Sequence, residues 1–208
     1  MSFTDFIWPR VGKVVLDETL EADLEQIDSA SWGGDIAAFL EEARRLRDVE
    51  NNRKSIAEMK SQIYLAGLLA LIPILVTLTG HDALKDIMGF SVWYQIVVFI
   101  LFALGITYGV GAFFSSFRVL MVQAYHRVDV EEIVSSRVTE ATPMEQLTKE
   151  ILKSVRRDRS NINQKVSHVI VTHQLIFRMA VFLLLALLLV TFVPKLDGLF
   201  SSLKGIIC

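Results

Sequence analysis

Lys153, Arg156, Arg157, Arg159 and Lys165, with Asn161 and Asn163 among them, form the densest set of anion-binding side chains in this sequence. A guanidinium presents a planar fork of donors that matches a phosphate, and an ammonium adds a compact charge. Such a stretch can hold an anionic ligand such as a nucleotide. Arg53, Lys54 and Lys60 form a second, smaller set. Both sets also have a plainer explanation. They flank long apolar segments, where basic residues accumulate on the cytoplasmic side and meet anionic lipid headgroups. Composition and position alone favour that explanation.

Other chemistry is hard to find. No phosphate-binding G-x-x-x-x-G-K-[ST], dinucleotide-binding G-x-G-x-x-G, H-E-x-x-H or G-x-S-x-G stands in the chain. His168 and His173 are five apart, whereas metal ligands on one helix face are three or four apart. His81 and His126 are isolated, and the lone cysteine, Cys208, allows neither an internal disulfide nor a cysteine metal cluster. A net charge of −2, from 21 basic and 23 acidic residues, argues against a binder of nucleic-acid polymers. The expectation is a non-enzyme without cofactor or metal.

The apolar residues, 52% of the chain, are gathered into blocks. Ser61 to Gly80 and Ile87 to Phe117 contain no charged residue, and Met179 to Val193 is a third such run, extended to Leu175 if Arg178 reaches the headgroups. A helix needs roughly 20 residues to cross the hydrocarbon layer. Three membrane-spanning helices follow, since a chain this short cannot bury three all-round apolar helices in a soluble core. All of the 21 basic residues except Lys85, Lys195 and Lys204 precede the first run or lie between the second and third. That bias puts the N-terminus and residues 118–175 in the cytoplasm and the C-terminus in the periplasm of a bacterial inner membrane. Trp93 and Tyr94 suit an outer aromatic belt. The opening residues lack the basic start and short apolar core of a secretory signal. No Asp, Glu, Lys or Arg lies at central depth in a span, which argues against a proton or ion pump.

The elements that must position the basic residues can be read from periodicity. Leu16, Leu20, Leu24 and Ile27 repeat at helical spacing within an acidic segment, 1–34, and Ser31-Trp-Gly-Gly34 breaks it. Phe3, Phe6, Ile7 and Trp8 are expected to pack on the helices, with the membrane interface as the alternative. Asp35 can cap a stalk helix, 35–60, whose apolar positions Ile36, Phe39, Leu40, Ala43, Leu46, Val49, Ile56 and Met59 run into the first span, 61–80. The second span, 89–117, contains Gly105, Gly109 and Gly111, small residues that let helices approach within one chain or between copies. The cytoplasmic region 118–175 carries a continuation of the second span, a short helix near Asp129, and a start signal at Thr142-Pro143-Met144-Glu145. From there Leu147, Ile151, Val155, Ile162, Val166 and Val169 form one stripe leading to the third span, 176–194, and a short periplasmic tail, 195–208. The expected fold is an all-α membrane protein. Its first and third spans are prolonged into cytoplasmic stalk helices that form a helical bundle, with stripes buried against each other, the N-terminal helix or another copy.

With Glu58-Met-Lys60-Ser61 leading into Gln62-Ile-Tyr-Leu-Ala-Gly67, and Asn161, Asn163 and Lys165 ahead of the third span, the chain resembles the small transmembrane effectors of Pycsar antiphage systems over residues 40–193. Family members tend to read Asp-x-Lys-Ala at the first span, where this chain has Glu58 and Ser61. The resemblance implies an oligomer in the lipid bilayer. Its cytoplasmic helices would sense a cyclic nucleotide, through residues such as Lys153, Arg156, Arg157, Arg159, Asn161, Asn163, Lys165, Arg53 and Lys60, and its spans would impair the inner membrane. The alternative is a non-enzymatic scaffold or accessory subunit of a bacterial membrane complex.

Overall fold

The computed structural model describes residues 8–9, 19–30, 35–78, 89–121 and 143–207. Among them are four helices and no strand: α1 (Leu20–Ser29), α2 (Ile36–Leu78), α3 (Val92–Leu120) and α4 (Pro143–Ile207). The expected cap Thr142, the helix near Asp129, the Ser31–Gly34 break and residues 81–88 lie outside the described residues. α2 begins where its cap predicts: the Ala38 amide donates to Asp35 Oδ1 at 3.3 Å. It passes through Pro73, and Thr77 donates its hydroxyl to the Pro73 carbonyl at 2.8 Å. α4 starts at Pro143 with Glu145 in its first turn, where the helix dipole favours a carboxylate. It then continues past Pro194 to Ile207, through the stretch expected to be a tail. A proline inside an apolar helix removes one amide donor, which does not by itself end it.

α2, α3 and α4 are each long and apolar enough to cross a membrane. Only 6%, 22% and 11% of their most apolar stretches are buried, the reverse of a water-soluble core. Trp93, Phe99, Phe114, Phe177, Leu184 and Phe192 all face outward. Such surfaces are compatible with a multi-pass membrane protein. Several hydroxyls within these helices are satisfied locally, as in Thr107 to the Ala103 carbonyl (2.7 Å) and Thr191 to the Leu187 carbonyl (2.8 Å).

The chain divides into two compact units. The apolar unit takes residues 1–10, 62–117 and 170–208. Its interior holds Val98, Tyr108, Ala112, Leu175, Met179 and Ala186. The charged unit takes residues 11–61 and 118–169. Leu40, Ala43 and Ile151 form its core, with Leu147, Leu152 and Val155 packed around them. The α4 stripe is buried or half-buried throughout, as its spacing predicts. The α2 set is divided. Of it only Leu40 and Ala43 turn fully inward, joined by Ala57, which the periodicity did not single out, while Phe39, Leu46, Val49, Ile56 and Met59 stay exposed.

A candidate anion-binding face

The acidic helix α1 lies on the basic edge of α4. Leu20, Leu24 and Ile27 of α1 are half-buried and share a face with Asp23. On α4, Lys149, Lys153 and Arg156 recur four and three residues apart, so their side chains line one edge. Lys153 Nζ meets Asp28 Oδ1 at 2.5 Å, and Lys149 Nζ donates to the Asp28 carbonyl at 3.0 Å. Arg156 reaches furthest, with Nε 2.6 Å from Asp23 Oδ2 and Nη2 donating to Thr19 Oγ1 at 3.0 Å. Glu150 adds a second carboxylate 3.2 Å from Lys153. Burial alone would lower the Lys153 pKa; the bonds and charges of Asp28 and Glu150 outweigh it and hold it above the usual lysine value.

A second polar group joins α4 to α2. Lys165 is almost wholly buried and donates to Glu58 Oε1 at 2.6 Å. One turn of α2 earlier, Arg53 donates through Nη1 to both Glu50 oxygens (3.0 and 2.9 Å) and through Nη2 to Asn163 Oδ1 (3.1 Å). Ser61 Oγ and Gln146 Oε1 are buried with no hydrogen-bond partner. His168 is buried too, and that burial, followed by the nearby Arg118 charge, lowers its pKa below the ordinary histidine value.

The structure therefore distributes the basic and amide residues around α4 instead of collecting them into one pocket. Successive residues turn by about 100°, which sends neighbours to different faces. Lys153 and Arg156 meet α1, and Asn163 and Lys165 meet α2. Asn161 is half-buried, and Arg157, Arg159 and Lys60 are exposed. Asp23, Asp28 and Glu58 are the partners that the reading of basic residues missed. An acidic first segment opposite a basic stretch was the available signal for the first two.

In the apolar unit the three glycines serve packing within the chain. A Cβ at Gly105 would lie 2.8 Å from Leu183 Cδ2, one at Gly109 2.9 Å from Met179 Sδ, and one at Gly111 2.7 Å from the Trp8 ring. Between these glycines Tyr108 is stacked on two rings, Trp8 at 5.7 Å and Phe182 at 5.5 Å between centroids. Trp8 thus packs on the helices, as expected; Phe3, Phe6 and Ile7 lie outside the described residues. Tyr64 Oη is 3.3 Å from His173 Nδ1, and Tyr94 donates to the Leu189 carbonyl at 2.9 Å. No protein-family model, curated protein or solved structure matches the chain.

Proposed function

We propose that this chain is a multi-pass membrane effector of the Pycsar type. In this reading its cytoplasmic helices form a bundle that senses a cyclic nucleotide, and its spans, as an oligomer, impair a bacterial inner membrane. One observation carries the reading: the donors of Lys153 and Arg156 are met by the carboxylates of α1. Asp28 and Asp23 hold positions that a nucleotide phosphate can compete for, since phosphate takes the same forked donors. Displacing α1 would free one side of a helix that continues unbroken into a span. A ligand shifts such an equilibrium only by its difference in affinity for the two states.

The test is dye release from liposomes of neutral lipid carrying the verified full chain, with and without cyclic pyrimidine monophosphates. Release that rises with nucleotide, and is lost in Lys153→Ala/Arg156→Ala, supports the reading. Release unchanged by nucleotide overturns it.

A second reading, a non-enzymatic scaffold subunit, is favoured by the internal pairing of Lys153, Arg156 and Lys165. It expects no nucleotide binding by calorimetry and co-purification with other subunits of a membrane complex.

A further inference from the structure

Four of the five exposed large apolar side chains on the charged part of α2 fall on one stripe, Met59 being the exception. Phe39, Leu46, Val49 and Ile56 are separated by seven, three and seven residues, the spacing of a coiled-coil seam. Between 42% and 51% of each remains exposed, too much for a helix whose hydrophobic faces were all satisfied within one chain. The inward face of the same helix is a different one, carrying Leu40, Ala43 and Ala57. Between Phe39 and Ile56 the remaining seam positions are Glu42 and Arg53; each pairs with a carboxylate or guanidinium of its own helix, and Arg53 also reaches Asn163 of α4. Glu42 Oε1 accepts from Arg45 Nη2 at 3.0 Å, and Arg53 binds Glu50.

We infer that this stripe is the surface through which two copies of the chain associate, their α2 helices parallel and in register. The identity of the occupant follows from how α2 is built. The helix runs without a break from Ile36 to Leu78, and its later part is apolar enough to lie in a bilayer. Every copy in one membrane therefore presents the same stripe with the same polarity and at the same height. Confinement to that membrane raises the effective concentration of a second copy above that of any soluble partner. The seven-residue register carried further along α2 falls on Lys60, whose long side chain can turn its ammonium outward, and then on Ile63, Gly67, Ala70 and Ile74. Ile63, Ala70 and Ile74 are exposed, and a Cβ at Gly67 would meet nothing within 4 Å. These residues suit close approach of two helices in lipid. The inference rests on the oligomeric part of the proposed function and does not depend on the ligand.

The experiment is disulfide trapping of the full chain in native-like membranes, with Cys208→Ser as background. Val49→Cys and Ile56→Cys sit at positions that face their own counterparts in a parallel pair, whereas Asn51→Cys and Ser55→Cys point elsewhere. Oxidation should give covalent dimers at 49 and 56 and a several-fold smaller yield at 51 and 55. Leu46→Glu/Val49→Glu should convert the detergent-solubilised protein to monomer, with helix content by circular dichroism unchanged. Equal trapping at all four positions, or a wild-type monomer by light scattering, would overturn the inference. Equal trapping in a protein that is still oligomeric overturns this interface alone, whereas a monomer also removes the oligomeric part of the proposed function; nucleotide-dependent leakage is read independently of both.

Discussion

Lys165 of α4 and Glu58 of α2 form an ion pair at 2.6 Å in which the ammonium is cut off from water while the carboxylate keeps about a third of its exposure. Removing the carboxylate strands a buried charge, which costs more than the pair itself contributes. Glu58→Gln should lower stability by about 2–3 kcal/mol, below the range for a fully dry pair. The double variant Glu58→Gln/Lys165→Met should recover most of the loss, because an apolar chain of similar length fills the same space. Thermal unfolding followed by circular dichroism in detergent reads both.

Close by on α2, the buried Ser61 hydroxyl makes no hydrogen bond. Ser61→Ala removes an unpaired polar group and places the best helix former in its position. It should raise stability by about 1 kcal/mol, and a fall in the unfolding temperature would show that the hydroxyl has a partner in the working protein.

The pairs between α1 and α4 should behave differently. Asp28 is 59% exposed and Asp23 40%, so each bond is screened by water. Asp23→Asn/Asp28→Asn should cost under about 1 kcal/mol of overall stability yet detach α1, which has no buried residue of its own. Faster amide exchange confined to residues 20–29 is the expected result, with α4 unchanged.

His168 should make the charged unit sensitive to mild acid. Its folded pKa is lowered, by burial first and by Arg118 second, so the folded chain holds the proton less tightly than the unfolded chain. The stabilising contribution of the neutral ring is complete above the unfolded value of about 6.5. It is lost as pH falls through that value toward the folded one. The unfolding temperature should drop between pH 7.5 and 5.5, and His168→Gln should flatten that slope.

The glycines of α3 should rank by what stands opposite them. Gly105→Ala meets both Cγ and Cδ2 of Leu183, at 2.9 and 2.8 Å, so the whole isobutyl group must shift. Gly109→Ala meets the flexible thioether of Met179 and should cost less. Overpacking of this kind costs about 1–3 kcal/mol, and unfolding in detergent should place Gly105→Ala above Gly109→Ala.

Much of the fold was legible in the sequence. Charge-free blocks of sufficient length marked two of the membrane-competent helices, and a shorter block extended past Arg178 marked the third; Asp35 marked the start of α2, and Pro143 with Glu145 marked the start of α4. The stripe from Leu147 to Val169 was read correctly because large aliphatic residues line one face. On α2 the same rule could not separate two faces. Large residues such as Leu46 and Val49 dominate any hydropathy pattern, whereas the face that packs uses alanines, Ala43 and Ala57, whose small size permits contact. The basic residues were identifiable as a group, but their partners were not. Arg156 and Asp23 are 133 positions apart, and no local spacing links them.

The stacking of Trp8 on Tyr108 supplies a built-in optical reporter. Its indole rests on a phenol that also touches Phe182, so the emission colour and intensity of Trp8 depend on α3 and α4 keeping their present spacing. With the other two tryptophans, Trp32 and Trp93, changed to phenylalanine, ultraviolet fluorescence alone would follow rearrangement of the apolar unit as it happens, with no dye attached to the protein.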